Sequence, residues 1–338
     1  MMFTQAVKEL VMTAQAPFKS CHASSLAILP DGDMLTVWFA GSKEGAGDSA
    51  IWYSRRHKGT WTLPIQLATA DGIPHWNPVF FWKDHGELVL FYKVGQLLKE
   101  WSTQVIVSKD NGYTWSMPVE LVKGDRGGRG PVRNKPIVLS DGTWLAPAST
   151  EDGIWKAFVD ISADQGATWI RSGDIWIQEL DYSSIEAVTG SDIPVSEQSF
   201  FGRGVIQPTL WESQPGKVHM LLRSSEGYMY RSDSSDSGHT WCKAYPTPLP
   251  NNNSGIDVAR MDNGVLILAF NPVGVNWGPR TPLVLRASYD NGHTWDDEFV
   301  LEDQEGEYSY PAIIADGKRI FVTYTWKREN IAFWQVTL

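Results

Sequence analysis

The chain has 338 residues, and its 29 basic and 39 acidic side chains give a formal net charge of −10 at pH 7. This acidic balance excludes the basic footprint of a general nucleic-acid-binding protein and a polybasic membrane anchor. No apolar run approaches transmembrane length, and the two cysteines imply no disulfide framework. Residues 1–16 lack a signal-peptide core. We therefore expect a soluble protein of the reducing cytoplasm, without nucleic-acid or membrane partners.

The predicted elements begin with a strand near residues 7–12, which is followed by a strand–turn–strand unit that recurs six times. The units span residues 25–39, 77–93, 135–149, 207–224, 255–271 and 310–326. Their turns contain Asp31-Gly32, His85-Gly86, Asp141-Gly142, Pro215-Gly216, Asn263-Gly264 and Asp316-Gly317. Dipeptides of this kind between apolar runs are the strongest short signal for a β-hairpin. Each unit therefore predicts one hairpin.

An eight-residue motif, Ser-x-Asp-x-Gly-x-Thr-Trp, follows four of these units. Intact copies begin at Ser108, Ser162, Ser234 and Ser288, and a degenerate copy begins at Ser54. The aspartate can accept hydrogen bonds from backbone N–H groups of its own turn, and the glycine supplies a positive φ. Strand-like residues flank each copy. Each motif thus predicts a hairpin between two strands, on the outer part of the molecule.

Copies that recur about every fifty residues are typical of propeller blades. We predict an all-β fold, a six-bladed propeller of four-stranded antiparallel blades that forms a single domain over residues 1–338. The last unit lacks the eight-residue motif. We therefore expect the N-terminal strand to complete the last blade beside the final strand 331–338, which closes the ring. The extra length within residues 171–204 predicts a long loop over one face.

Candidate functional residues lie where propeller strands begin and end, because those points meet at one mouth of the central channel. Strand starts supply His22, Trp76, Asn77, Arg133, Lys135, Gln207, Asn253 and Tyr308. Strand ends supply Lys43, Glu44, Lys93, Glu151, Arg223 and Arg328. These residues are mostly ionisable or amide-bearing, while the strands between them are apolar. A wet, cationic pocket on an acidic protein would attract a small anion.

Together these motifs resemble the sialidase (neuraminidase) superfamily, whose members are six-bladed propellers with Asp boxes, over essentially the whole chain. The resemblance implies that Asp48, shortly before the degenerate copy at Ser54, is the catalytic acid/base. It implies that Tyr308, in a Tyr-Ser motif that opens the last blade, is the nucleophile. It also implies that Arg223 and Arg280 grip the substrate carboxylate in the bidentate manner of guanidinium groups.

Two positions depart from the family pattern. Cys21-His22-Ala23 stands where the family has an Arg-Ile-Pro motif, and Gln207 stands where the family has the glutamate that activates the tyrosine. A glutamine cannot accept a proton, so Glu151, Glu226 or Glu307 would have to substitute. If His22 replaces an arginine of the clamp, its titration near its ordinary pKa of roughly 6.5 should tune the affinity for substrate.

The resemblance implies an exo-acting glycoside hydrolase that removes a terminal acidic sugar from a glycan, with no cofactor and no metal. Further contacts with substrate are expected from Lys43, Trp76, Asn77, Lys93, Lys135, Glu151 and Asn253. Two alternatives stay open. A lyase acting on a uronic acid would use the arginine clamp with His22 and Tyr308 as base and acid. A non-catalytic propeller would bind an acidic glycan, and an Asp48 that points to solvent would favour this alternative.

Overall fold

The computed structural model describes residues 3–83, 86–185 and 202–338. Regular structure in these residues is almost entirely β-strand, with short helical turns such as Leu98–Glu100. None of the described helical segments has the length and apolar character needed to cross a membrane. The described strands form five hydrogen-bonded sheets, one of which contains two antiparallel groups joined by a short parallel pairing. We treat these two groups separately and number the six antiparallel groups sheets 1 to 6.

The strands have the following bounds. β1 (Gln5–Leu10) precedes sheet 1. Sheet 1 contains β2 (Ser20–Ile28), β3 (Met34–Gly41), β4 (Ala50–His57), β5 (Thr60–Trp61) and β6 (Ile65–Ala68). Sheet 2 contains β7 (His75–Lys83), β8 (Glu87–Val94), β9 (Ser102–Ser108) and β10 (Val119–Glu120). Sheet 3 contains β11 (Ile137–Val138), β12 (Trp144–Thr150), β13 (Ile154–Ser162) and β14 (Ile170–Arg171).

Sheet 4 contains β15 (Arg203–Gln214), β16 (Lys217–Ser224), β17 (Tyr228–Ser234) and β18 (Tyr245–Pro250). Sheet 5 contains β19 (Asp257–Arg260), β20 (Leu266–Phe270), β21 (Leu283–Ser288) and β22 (Asp296–Glu302). Sheet 6 contains β23 (Tyr308–Asp316), β24 (Arg319–Trp326), β25 (Asn330–Thr337) and the N-terminal β1. Sheets 3 and 4 are also joined by two parallel residue pairs between β13 and β15.

The N-terminal strand completes the last sheet. β1 runs antiparallel to β25, with Gln5 opposite Thr337 and Leu10 opposite Ala332. The predicted pairing of the N-terminal strand with the final strand is therefore confirmed. Five of the six predicted inner turns also lie between the first two strands of a sheet. The sixth contains His85, which lies outside the described residues, as do residues 186–201 of the predicted loop 171–204.

The four intact copies of the eight-residue motif lie between the third and fourth strands of sheets 2 to 5, so the hairpin prediction is confirmed. In the first copy, Asp110 accepts hydrogen bonds from Ser108 Oγ (2.8 Å) and from the backbone N and Oγ1 of Thr114 (2.8 and 2.6 Å). The bonds from Thr114 lower the pKa of Asp110 to about 2. Gly112 has a φ of 82°, and a Cβ there would overlap Leu35 of sheet 1. The motif thus stabilises its own turn by side-chain hydrogen bonds and also packs against the preceding sheet.

Clusters of buried apolar side chains lie between successive sheets throughout the described chain, one at each of six junctions. At the junction of sheets 2 and 3, for example, the rings of Phe81 and Trp144 lie 4.7 Å apart. The junction of sheets 6 and 1 brings Phe333 together with Ala40. The packing order is therefore cyclic, and burial of these faces is the main apolar contribution to stability.

A β-bulge recurs near the start of the first strand in four sheets. The bulges lie between His22 and Ser25, Trp76 and Val79, Ile206 and Thr209, and Ser309 and Ala312. One residue in each bulge has a left-handed φ: Ala23 (56°), Asn77 (44°), Gln207 (52°) and Tyr310 (54°). Such a kink turns the following side chains away from regular strand alternation. Sequence alternation alone therefore cannot say which of these side chains face the axis.

Asp257 ties four sheets together at the start of β19, where it is 2% exposed. Its carboxylate accepts hydrogen bonds from Lys135 Nζ (3.0 and 2.9 Å), from Thr209 Oγ1 (2.8 Å) and from the backbone N of Ile313 (2.9 Å). These donors belong to sheet 4, sheet 6 and the segment that leads into sheet 3. A buried carboxylate is stable only when it is paired in this way.

We expect Asp257→Asn to lower the free energy of unfolding by about 3 kcal/mol, because it leaves the Lys135 ammonium without its counter-charge. Urea denaturation followed by tryptophan fluorescence would measure the change. Glu298→Gln is the control, since Glu298 pairs with Arg286 at the surface (2.8 Å) and its loss should cost less than about 1 kcal/mol. Equal effects of the two substitutions would contradict a special role for Asp257.

Candidate active site

Arg223 is held from several sides near the end of β16, where it is 3% exposed. Its Nε donates a hydrogen bond to Asn253 Oδ1 (2.7 Å), and its Nη1 donates to Gln207 Oε1 (3.0 Å) and to the hydroxyl oxygen of Tyr310 (2.5 Å). Two tryptophan rings flank its guanidinium, those of Trp155 and Trp277 at 5.8 and 5.7 Å from Cζ. Within the described residues no hydrogen bond reaches Nη2 of Arg223, so that nitrogen keeps its N–H donors for a ligand.

Tyr310 is the ring on which the charged groups converge. The Cζ atoms of Arg133, Arg223 and Arg280 lie 5.4, 5.6 and 5.6 Å from its centroid. The ring of His22 lies 4.1 Å from it, measured between centroids. Cations within about 6 Å of an aromatic ring are attracted to its face. The structure therefore brings Arg223, Arg280 and His22 together, as the sequence analysis predicts, but around Tyr310.

Tyr308 lies elsewhere, and the prediction that it shares a pocket with the arginines is wrong. Its side chain is 1% exposed and belongs to the apolar cluster between sheets 5 and 6, where its hydroxyl group donates to the carbonyl oxygen of Glu305 (3.4 Å). Burial raises the pKa of Tyr308. The physical reason for the error is the bulge after Ser309, which gives Tyr310 its left-handed φ and turns its side chain away from that of Tyr308.

A sequence signal for Tyr310 does exist. Tyr310-Pro311 occupies the same place in its strand as Gln207-Pro208 and Asn77-Pro78, and each of these dipeptides begins with the left-handed residue of a bulge. Asn77 itself is 6% exposed at its bulge. Alignment of the internal repeats on these prolines would have selected Tyr310 in place of Tyr308.

Arg280 and Arg328 share the carboxylate of Glu307. Glu307 Oε1 accepts hydrogen bonds from Arg280 Nη1 (2.7 Å) and Arg328 Nε (2.7 Å), and Arg328 Nη1 donates to Glu44 Oε2 (2.7 Å). Burial would raise the pKa of Glu307, but the charges of the two arginines and the hydrogen bonds from Ser309 and Arg328 lower it. Glu307 is therefore an ionised carboxylate that orients guanidinium groups, and it is a poor candidate for a proton donor.

Arg133 closes the site from the side of sheet 3. It is 1% exposed, and its Nη2 donates to the carbonyl oxygens of Tyr310 and Pro311, the latter at 2.8 Å. Burial lowers the pKa of Arg133 to about 10, so it is charged at neutral pH. This residue fixes the backbone of the bulge that presents Tyr310.

His22 is a neutral imidazole. It is 2% exposed, and its Nδ1 lies 2.8 Å from Thr325 Oγ1. Burial lowers its pKa well below the ordinary value, and the charges of four arginines act in the same direction: Arg328, Arg280, Arg133 and Arg223. The prediction that His22 titrates near its ordinary pKa is therefore wrong, because a further positive charge at this place would be repelled.

Gln207 links Arg223 to a carboxylate on sheet 3. Its Nε2 donates to Glu151 Oε1 (3.1 Å) while its Oε1 accepts from Arg223 (3.0 Å). Ser149 Oγ also donates to Glu151 Oε1 (3.3 Å). Burial raises the pKa of Glu151, although Arg223 and the bond from Gln207 oppose the rise. The two residues therefore act as a pair beside the candidate clamp.

Asp48 lies on the loop between β3 and β4 and is exposed. Its carboxylate accepts hydrogen bonds from the backbone N of Ser42 (3.1 and 3.0 Å) and from Ser42 Oγ (2.9 Å). Glu44 of the same loop is paired with Arg328, which places the loop beside the arginines. Lys43 is exposed on this loop. The structure thus brings the loop to the site but leaves Asp48 exposed and not hydrogen-bonded to Tyr310, an arrangement that favours the non-catalytic alternative.

Three of the predicted substrate contacts are engaged in internal structure. Trp76 is 1% exposed, and its Nε1 donates to the carbonyl oxygen of Gly95 (3.0 Å). Lys135 binds Asp257. Lys93 is 0% exposed and donates to Thr103 Oγ1 (2.7 Å) and to three carbonyl oxygens, those of Gly128, Arg129 and Gly130. Burial lowers the pKa of Lys93 to about 7. The predictions that these three side chains contact substrate are wrong, because their polar atoms form hydrogen bonds or ion pairs within the protein.

The cyclic order of the sheets is shared with sialidase structures that superimpose on the chain. The chain belongs to the BNR repeat-like domain family, whose match covers residues 32–322. A sialidase of Clostridium perfringens is 32% identical in an alignment of 94 residues; the match covers 22% of this chain and 24% of that protein.

Two solved structures show the same fold. A Hadza microbial sialidase superimposes with a TM-score of 0.73 at 17% identity, covering 94% of this chain and 66% of that one. A protein of unknown function from Dyadobacter fermentans superimposes with a TM-score of 0.75 at 16% identity, covering 99% of both chains. The chain therefore spans less than two thirds of the length of each of these two sialidases.

We expect His22 to stay neutral in the folded protein at pH values where an unfolded histidine, with a pKa of roughly 6.5, is protonated. Its neutral form thus contributes stability that is present above about pH 6.5 and is lost as the pH falls. Below about pH 6 the wild type should lose stability relative to His22→Gln, by at most about 1.4 kcal/mol per pH unit. Urea denaturation at pH 8 and pH 5 measures this, with the exposed His293→Gln as control. A difference independent of pH would contradict the neutral state.

Proposed function

We propose that the six sheets are the blades of a six-bladed β-propeller and that the chain is an exo-acting glycoside hydrolase for a terminal acidic sugar. The cyclic order of the apolar clusters supports the blade arrangement. The observation that carries the activity is the hydrogen bond from Arg223 to the Tyr310 hydroxyl group (2.5 Å), with two more guanidinium groups around the same ring.

Arg223, Arg280 and Arg328 supply the carboxylate clamp of this proposal. Each uses one or two guanidinium nitrogens within the protein, and among the described residues none is hydrogen-bonded to the Nη2 atom of any of the three. A guanidinium whose remaining donors face a ligand binds a carboxylate with both charge and geometry. The internal partners hold the groups in place, so little side-chain entropy is lost when substrate binds.

Tyr310 is the nucleophile in this proposal. Its oxygen forms a bond to the anomeric carbon as the glycosidic C–O bond breaks, and Asp48 gives its proton to the leaving oxygen. The phenol proton passes to water, since Gln207 cannot take it. Water then attacks the tyrosyl–sugar bond, its proton returns to Asp48, and the phenolate is protonated again. The Arg223 donor stabilises the negative charge that develops on the tyrosine oxygen.

A second candidate reaction is elimination on a uronic acid, and one observation favours it. The neutral imidazole of His22 packs against Tyr310 at 4.1 Å between ring centroids, which is a base and an acid beside a cationic clamp. In this reaction a base removes the proton next to the carboxylate, the Tyr310 hydroxyl group protonates the leaving oxygen, and a C=C bond forms. The arginines would stabilise the carbanion-like charge on the carboxylate.

We expect Tyr310→Phe to lower turnover at least about a hundredfold while substrate binding changes little, because the ring stays and only the reacting oxygen is lost. Tyr308→Phe is the matched control and should retain turnover, since Tyr308 lies in the core. The assay is fluorophore release from 4-methylumbelliferyl glycosides of sialic, ulosonic and uronic acids. If Tyr308→Phe abolished turnover and Tyr310→Phe did not, the assignment of the nucleophile would be reversed.

Hydrolysis and elimination leave different products. On natural sialylated and uronate-containing oligosaccharides, we expect new reducing ends to appear without ultraviolet absorbance from a conjugated C=C bond. Absorbance that rises in step with cleavage would establish the lyase reaction instead. Tight calorimetric binding of an acidic sugar with neither signal would establish a non-catalytic binding protein.

A further inference from the structure

We infer that Glu151 is a positioning residue: it fixes the side-chain amide of Gln207 and thereby the contact of Arg223 with Tyr310. The inference rests on the proposed function for its catalytic consequence, but its structural part can be tested without any substrate. Gln207, which stands where the family has a glutamate, would then serve to hold Arg223 in place.

The contacts form one directed chain. The Glu151 carboxylate accepts from Gln207 Nε2 (3.1 Å), Gln207 Oε1 accepts from Arg223 Nη1 (3.0 Å), and the same Nη1 donates to the Tyr310 oxygen (2.5 Å). Arg223 can only donate, and Glu151 Oε1 already accepts from both Ser149 and Gln207. The amide therefore has a single orientation that satisfies both neighbours. If it flipped, its N–H groups would face a guanidinium and its oxygen would face a carboxylate.

Glu151 is itself held in place just after the end of β12. Ser149 Oγ donates to the same Oε1 atom (3.3 Å), and the backbone N of Gln207 donates to Ser149 Oγ (3.3 Å). The charged groups that act on Glu151 are Arg223 and Lys93. Glu151 also lines a cleft of 410 Å³ together with Thr150, Asp152 and Lys156. It therefore stands between this cleft and the arginine cluster.

The pair predicts an unusual response to a change of Gln207. Gln207→Glu alone restores the family residue, but it places two carboxylates in contact, and these must share a proton. Glu151→Gln keeps an oxygen that can accept from Gln207 and removes only the charge. The double variant Glu151→Gln/Gln207→Glu again has one amide and one carboxylate, with Arg223 still facing an oxygen. A merely structural contact would not produce recovery in the double variant.

The first measurement uses the full chain labelled with tyrosine carrying ¹³C at Cζ, with the Tyr310 resonance assigned by its absence from Tyr310→Phe. We expect Glu151→Leu to move this resonance at fixed pH, because the Gln207 amide is then free to flip. Gln207→Glu should give a resonance that varies with pH as the carboxylates lose their shared proton, and the double variant should return to the wild-type pattern. Thermal unfolding checks that each variant is folded.

The second measurement is the pH profile of turnover on 4-methylumbelliferyl N-acetylneuraminide. We expect Glu151→Leu to lower kcat at least about tenfold with a smaller change in KM, because misplacement of a reacting group acts mainly on the chemical step. Gln207→Glu should lose activity as the pH rises, and the double variant should recover it.

The resonance measurement tests the positioning role of Glu151, and the turnover measurement tests the proposed hydrolase activity. An unchanged Tyr310 resonance in Glu151→Leu, or a double variant whose effects are the sum of the single ones, would overturn the positioning role whatever the activity. If the wild type does not cleave this glycoside while the resonances respond as expected, the positioning role stands and the assignment of this substrate falls.

Discussion

The buried carboxylate of Asp257 is the constraint on which the rest of this structure depends. A paired charge this deep in the protein needs all its donors, and Asp257 takes them from Lys135, Thr209 and Ile313, which lie in or beside the first strands of three other sheets. Apolar burial between sheets is non-directional and tolerates sliding. A carboxylate with several fixed donors does not allow the sheets to slide past one another. It therefore sets the register in which the sheets meet, and with it the place where their first residues converge.

The bulges orient the side chains of the candidate site at this point of convergence. Left-handed backbone at Gln207 and Tyr310 is strained for residues with a side chain, and such strain persists only where the surroundings impose it. Arg133 holds the backbone after Tyr310, and Asn134 donates to the carbonyl oxygens of Gln207 (3.1 Å) and Pro208 (3.0 Å). The segment that leads into sheet 3 therefore secures the two bulges that present the amide and the phenol.

Much of the fold could be predicted from the sequence, because turn chemistry and repeat spacing are local properties. The Asp110 turn and the pairing of the N-terminal strand follow from such patterns. The clustering of Arg223 and Arg280 around one ring agrees with what the resemblance to the sialidase family implies. The choice between Tyr308 and Tyr310 was not predictable from strand alternation, because a bulge changes which face a residue joins, although Pro311 marks the position of that bulge. The internal hydrogen bonds of Lys93 were not predictable either, because their acceptors lie in a loop that is distant in sequence.

The two departures from the sialidase pattern compensate each other electrostatically. His22 in place of an arginine removes one positive charge, since burial and the surrounding guanidinium groups keep its imidazole neutral. Gln207 in place of a glutamate removes one negative charge next to Arg223. The excess of positive over negative charge around Tyr310 is therefore the same as with the family's residues, and it is this excess that would attract a carboxylate. What changes is the proton chemistry, because the group that contacts Arg223 can no longer accept a proton and the nearest carboxylate, Glu151, lies one amide further away.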